Sequence, residues 1–197
     1  MYHLAKGIYQ NLTRKEEYSV LILGLDNAGK TTFLEQLKHV YSGRGLPPDK
    51  IAPTVGQNVG HLKINEMYLK IWDVGGQRNL RTLWKAYYTE AHAIVFIVDS
   101  TDRARIEECR DTLRAIVSDQ DTEGIPVLML ANKQDRDDSL EVEDIKEIFN
   151  RIAEHLSARD SRVLPISAIK GTGVAEAADW LTSRLARNKQ YRPPDLR

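Results

Sequence analysis

Short, almost uninterrupted apolar runs alternate along this chain with longer amphipathic stretches. Ser19-Val20-Leu21-Ile22-Leu23 precedes a helical pattern over 30–40, and Ala93-Ile94-Val95-Phe96-Ile97-Val98 precedes a charged one over 103–117. Pro126-Val127-Leu128-Met129-Leu130-Ala131 leads into a helix at 142–155, and Val163-Leu164-Pro165-Ile166 into one at 174–187. A strand that is apolar at every position has both faces buried. Its alternation with helices predicts an α/β fold, a doubly wound and mostly parallel sheet with helices on both faces. One stretch differs. Leu62-Lys63-Ile64 and Leu69-Lys70-Ile71 alternate with period two around Asn65-Glu66-Met67, which predicts an antiparallel hairpin inserted after the first helix. Segment 42–53, with two glycines and three prolines, reads as irregular loop.

Composition adds limits. A chain of 197 residues that is 42% hydrophobic and 28% charged is long enough for one domain with a real core. The single cysteine, Cys109, excludes an internal disulfide framework and suits a reducing compartment. No apolar run approaches the roughly 18 residues of a membrane span, and no secretory signal is read. Twenty-eight basic residues balance 28 acidic ones, which argues against a nucleic-acid partner. The balance is uneven along the chain: both ends are basic and the body is acidic.

The chemistry starts after the first strand. Gly24-Leu25-Asp26-Asn27-Ala28-Gly29-Lys30-Thr31 fits the G-x-x-x-x-G-K-[ST] pattern and lies between an apolar strand and an amphipathic helix. Its glycines let backbone N–H groups turn around phosphate oxygens, and the helix N-terminus adds its dipole. Lys30 would reach the β- and γ-phosphates, and the Thr31 hydroxyl would bind Mg²⁺. Asn132-Lys133-Gln134-Asp135 falls at the C-terminal edge of a predicted parallel strand. A carboxylate there can accept from the ring N–H and amine of guanine, a donor pair adenine lacks, so Asp135 would select the base. Asn132 would brace the loop, and the Lys133 stem would lie along the ring. Ser167-Ala168-Ile169 would present the Ala168 N–H to the guanine oxygen. Asp73-Val74-Gly75-Gly76-Gln77 ends the hairpin: Asp73 would hold Mg²⁺ through a water, Gly76 would bring its N–H to the γ-phosphate, and Gln77 would orient an attacking water. Thr54 is the remaining candidate for Mg²⁺ and the γ-phosphate.

With these residues in place the sequence resembles the small GTPases of the ADP-ribosylation factor (Arf) family, within it the Arf-like branch associated with the Golgi. The strings that carry the resemblance are Gly24-Leu25-Asp26-Asn27-Ala28-Gly29-Lys30-Thr31-Thr32, Pro53-Thr54-Val55-Gly56, Trp72-Asp73-Val74-Gly75-Gly76-Gln77, Leu83-Trp84-Lys85-Ala86-Tyr87-Tyr88 and Asn132-Lys133-Gln134-Asp135. The resemblance implies a P-loop GTPase with a six-stranded sheet, one strand antiparallel, and an N-terminal amphipathic helix. It divides the chain into that helix (1–15), a GTPase domain (16–190) and a C-terminal tail (191–197). It implies a switch in which GTP orders the loops around Thr54 and Gln77 and hydrolysis releases them. Exchange factors, activating proteins and effectors are the implied partners, with GTP or GDP and Mg²⁺ as ligands. Lys30 and Gln77 are the expected catalytic residues. An apolar effector patch would involve Trp72 and Tyr87, with Gln57 making it more polar. A carboxylate at Asp26 would crowd the γ-phosphate, so intrinsic hydrolysis below about 10⁻³ s⁻¹ is expected.

Departures matter as well. Tyr2 stands where Arf proteins carry a myristoylated glycine, and no cysteine lies near the C-terminus to be prenylated. What remains is the stripe Leu4, Ile8, Leu12, spaced as a short amphipathic helix with weak membrane affinity or one that covers core surface. The expected location is the cytosol and the cytoplasmic face of the Golgi or trans-Golgi network, with a membrane-protein receptor and a role in vesicle trafficking. Two rivals are a GTP-locked adaptor and a P-loop ATPase or nucleotide kinase.

Overall fold

The apolar runs become the central strands because each buries both faces. In a computed structural model of the chain, which describes residues 15–156 and 159–196, the strands are β1 (Glu16–Leu23), β2 (Gln57–Ile64), β3 (Met67–Val74), β4 (Ala93–Asp99), β5 (Val127–Asn132), β6 (Ser161–Pro165) and β7 (Asp195–Leu196). They form one sheet in the order β2-β3-β1-β4-β5-β6, with β7 also paired to β1. β3, β1, β4, β5 and β6 are mutually parallel, and β2 runs antiparallel to β3. The helices are α1 (Lys30–Ser42), α2 (Lys85–Tyr88), α3 (Ile106–Val117), α4 (Val142–Asn150), α5 (Ala153–Leu156) and α6 (Val174–Asn188).

Alternate side chains of each strand leave toward opposite faces. Val20, Ile22, Val95, Ile97, Leu128 and Leu130 pack with Phe33, Leu34 and Leu37 of α1 and Ala177, Leu181 and Leu185 of α6. Leu21, Leu23, Ile94, Phe96, Val98 and Met129 pack on the other face with Leu113 and Ile116 of α3 and Ile145 and Phe149 of α4. Two cores therefore sandwich the sheet, and the C-terminal ends of β1, β3, β4 and β5 open onto one edge.

The structure corrects the sequence reading in detail. The hairpin turn is only Asn65 and Glu66, both left-handed (φ 45° and 66°), because Met67 already pairs with Ile64. The helix expected over 103–117 begins as a 3₁₀ turn, Arg103–Arg105, in which Asp102 accepts the Arg105 N–H (3.3 Å). The one expected over 142–155 is two helices, α4 and α5, yet Ile145, Phe149, Ile152 and Leu156 remain one buried stripe across the break. The loop after α1 holds a 3₁₀ turn, Pro48–Lys50.

The sheet has seven strands where six were expected. β1 starts before the first residue that β4 can pair, since β4 meets it only from Val20 onward. The vacant stretch of that edge is filled by the chain's end: Glu16 and Glu17 pair antiparallel with Leu196 and Asp195. Between the two, Ser19 donates its N–H to His92 Nδ1 (3.0 Å), and His92 Nε2 reaches the Pro193 carbonyl (2.9 Å). Arg192 donates to the carbonyls of Tyr88 (2.9 Å), Thr89 (2.9 Å) and Ala91 (3.1 Å), closing off the end of α2. Part of the expected tail, 191–197, is thus integrated with the domain. The expected N-terminal helix lies outside the described residues. Among the described residues no helix is long and apolar enough to cross a membrane.

Candidate nucleotide site

The loop 24–29 leaves β1 and enters α1 at that open edge. Asn27 (φ 62°) and Gly29 (φ 95°) are left-handed, and the Leu25 and Ala28 side chains are buried in the protein, so these residues offer the cleft their backbone. A Cβ on Gly29 would sit 2.2 Å from Asn132 Nδ2, which is why only glycine fits there. Lys30 is 6% exposed and donates to the carbonyls of Gly24 (3.1 Å) and Leu25 (2.8 Å). Burial pushes its ammonium down to about 8, against the pull of Asp73 and Asp26. The phosphates of a nucleotide would favour the charged form.

Three predicted ligands converge. The Thr31 hydroxyl lies 2.7 Å from the Thr54 hydroxyl and donates to Asp73 Oδ2 (2.6 Å), and Thr54 reaches the same oxygen at 3.3 Å. Asp73 is fully buried, and its Oδ1 has no hydrogen-bond partner. Burial pushes this carboxyl above its ordinary value, opposed by Thr31 and Lys30. A buried carboxylate oxygen without a partner beside two hydroxyls is a hard-oxygen donor set that fits Mg²⁺. Bound there, the cation would offset negative charge on the β- and γ-phosphates. The cleft occupies about 580 Å³ and is also lined by Asp26, Thr32, Gly76, Gln77 and Lys133. Gly76 is pressed on the phosphate loop: a Cβ would lie 2.4 Å from both the Gly24 carbonyl and Lys30 Nζ.

At the base end, Asn132 is 3% exposed and bonds in two directions, Nδ2 donating to the Ala28 carbonyl (2.8 Å) and Oδ1 accepting from the Ala168 N–H (3.0 Å). That N–H was expected to face guanine, so a base oxygen would share it with Asn132. Ser167 Oγ donates to Asp135 Oδ1 (2.6 Å) and orients the carboxylate. Lys133 is held left-handed (φ 68°), and its Nζ meets Asp99 Oδ2 at 2.6 Å. Burial would raise the Asp99 carboxyl, but Lys133 and Thr101 hold it below the ordinary range. Ile169 is largely exposed beside this loop.

Asp26 lines the cleft. Its carboxylate faces Arg105 (2.9 Å) and, further off, Arg81 (3.9 Å), so the group that borders the cleft is paired with arginine. The effector candidates do meet: the Trp72 and Tyr87 rings lie 5.1 Å apart, and the Tyr87 hydroxyl bonds to Gln57. Arg81, Trp84, Asp99 and Arg105 were missed as site residues. Arg81 and Trp84 bond to main-chain carbonyls, which leaves only their closeness in sequence to Gly75-Gly76 as a signal.

The sequence profile of the ADP-ribosylation factor family matches residues 5–185. The chain belongs to this family. ADP-ribosylation factor-like protein 3 of Saccharomyces cerevisiae is 60% identical over 195 residues, 98% of either chain. ADP-ribosylation factor-related protein 1 of Homo sapiens is 42% identical over 199 residues, covering all of this chain and 98% of its own. Among solved structures, the Arl6 (BBS3) small GTPase of Trypanosoma brucei with the bound nucleotide analogue GppNp superposes with a TM-score of 0.76 at 30% identity, over 87% of this chain and 98% of that one. The Arf-family chain described here is thus a GTP-binding regulatory switch and a GTP hydrolase, with the G-domain fold its motifs implied. Exchange factors, activating proteins and effectors are the general partners of such GTPases.

Proposed function

We propose that this chain recruits effectors to Golgi or trans-Golgi membranes when it holds GTP and Mg²⁺, and leaves them after slow hydrolysis. The observation that carries the switch is the meeting of the Thr54 loop and the Asp73-to-Gln77 loop at the phosphate end of one cleft. Both loops continue into surface beside Gln57, Trp72 and Tyr87, where Val55 and Leu83 are exposed apolar residues. A change at the γ-phosphate would reshape that surface. In the hydrolysis itself, Lys30 would stabilise charge on the phosphates, and Gln77, exposed at the cleft, would orient the water for in-line attack. Supplementary positive charge from an activating protein would speed the step.

The membrane part rests on the sequence. The Leu4, Ile8, Leu12 stripe is too short for firm binding alone, so a Golgi membrane-protein receptor would hold the segment. The test is imaging of the tagged full chain in cells. Leu4→Ala with Ile8→Ala should disperse it into the cytosol while purified variant protein still binds GDP and a GTP analogue. Unchanged Golgi localisation of that variant would refute the reading.

A further inference from the structure

Two peptide planes beside the phosphate loop are held by side chains that lie outside the cleft. The buried Trp84 indole N–H donates to the Gly75 carbonyl (3.0 Å), and Arg81 Nε donates to the Gly76 carbonyl (2.9 Å). In a trans peptide the C=O and the following N–H point in opposite directions. Fixing the Gly75 carbonyl therefore aims the Gly76 N–H, and fixing the Gly76 carbonyl aims the Gln77 N–H and the root of the Gln77 side chain. These are the groups that the γ-phosphate and the attacking water require.

Arg81 sits in the 3₁₀ turn Arg81–Leu83, and its side chain is only 16% exposed. Its fork is shared: Nη1 donates to Glu108 Oε1 on α3 (2.8 Å), while Asp26 Oδ1 lies 3.9 Å from Nη2. Asp26 is a competitor for this guanidinium. It is occupied by Arg105, which donates to its carboxylate (2.9 Å) and to its carbonyl (3.3 Å) and is itself held by Asp102 (2.6 Å). Arg105 thereby leaves Arg81 to Glu108 and Gly76. A charged donor on a backbone carbonyl in a partly buried place is one of the stronger hydrogen bonds available, and a fork with a second anchor loses little freedom in making it.

We propose that Arg81, anchored by Glu108, is a positioning residue for the γ-phosphate end of the site. It presets the Gly76 and Gln77 peptides in the arrangement that a nucleoside triphosphate needs and a diphosphate does not. Arg81 itself touches no nucleotide in this role. α3 becomes part of the device, because Glu108 joins it to the loop that reads the phosphate.

The decisive readout is a ratio. With the full-length protein and Mg²⁺, affinities for GDP and for a non-hydrolysable GTP analogue are measured for Arg81→Ala, Arg81→Lys and Glu108→Gln. GDP affinity should stay within about twofold, while the analogue weakens about tenfold in Arg81→Ala, the loss of one charge-assisted hydrogen bond. Arg81→Lys, a point charge without the fork, should recover only part of it. Glu108→Gln should shift the ratio by about threefold, and adding it to Arg81→Ala should change nothing more, since both act through one contact. Equal losses for the two nucleotides would mean that Arg81 merely supports the fold, and no loss for either would mean that it supports neither; each overturns the proposal. Should Arg81→Ala fail to fold, the part-exposed Glu108→Gln carries the same test, and an unchanged ratio in it overturns the proposal alone.

Discussion

Asn132 is the place where the base end and the phosphate end of the site are joined. Replacing it with alanine leaves two buried backbone groups, the Ala28 carbonyl and the Ala168 N–H, without their partners at 2.8 and 3.0 Å. Each such group costs about 1–3 kcal/mol, so Asn132→Ala should lose about 2–6 kcal/mol. For a domain of this size, at about 2–4 °C per kcal/mol, that corresponds to roughly 4–24 °C in Tm. Two loops also lose their cross-tie, so GDP should dissociate faster, beyond what global destabilisation accounts for. Asn132→Asp sharpens the test. It keeps an acceptor for Ala168 but sets a carboxylate against the Ala28 carbonyl at a residue only 3% exposed, and it should be no more stable than the alanine variant. The assay is urea unfolding of both variants with GDP saturating, alongside the GDP dissociation rate. A loss under about 1 kcal/mol in Asn132→Ala with an unchanged dissociation rate would refute the cross-tie.

Gly76→Ala would force a methyl to within 2.4 Å of the Gly24 carbonyl and Lys30 Nζ and 2.5 Å of the Leu25 carbonyl carbon. Two of these three neighbours are backbone, so the loop must withdraw, and nucleotide titrations should show weaker binding of a GTP analogue with GDP binding retained; equal weakening would contradict this. Cys109 is 4% exposed, and burial pushes its thiol up to about 12, so a thiol reagent at pH 8 should label the protein only after urea is added. Rapid labelling of the native protein would refute it. Arg192→Ala removes bonds to three carbonyls around the end of α2 and should lower stability by about 1–2 kcal/mol in urea melts, with faster amide exchange at Ser19. Amide exchange at Ser19 that matches the parent protein would argue against the tail as a fastening.

The phosphate loop, the Asn132-Lys133-Gln134-Asp135 string and the Asp73-to-Gln77 string were legible because each is contiguous and its context, strand before and turn or helix after, is contiguous too. The core strands were legible because burial on two faces demands uninterrupted apolar sequence. The pair of Asp99 with Lys133, the bond from Ser167 to Asp135 and the hold of Arg105 on Asp26 were not, since each joins segments far apart in the chain and any of several polar residues would have served. Arg81 and Trp84 escape sequence reading for a further reason: their partners are main-chain carbonyls, which every residue carries. β7 was hidden by its brevity. Asp195 and Leu196 after two prolines have no strand pattern, and they pair only because β1 begins ahead of β4 and leaves its edge open.

The chain's end also bears on how the basic termini are read. Because Asp195 and Leu196 pair with Glu17 and Glu16, the C-terminal tail lies where residue 15 leaves the sheet. That position invites the idea that both basic ends act together on an anionic surface. The contacts argue otherwise. Arg184 and Arg187 face Asp160 (3.5 and 3.8 Å), and Lys189 faces Glu16 (2.5 Å). Exposed pairs of this kind add little stability; Lys189 with Glu16 is neutral at a distance, while two arginines on the single Asp160 leave a net charge of about +1. Arg192 is engaged with carbonyls and adds its charge to the end of α2, where the helix dipole is negative. The tail therefore works as a fastening for β1 and α2. In the proposed membrane contact, the main attraction to lipid would come from Lys6, Arg14 and Lys15, three basic residues with no acid among the first fifteen.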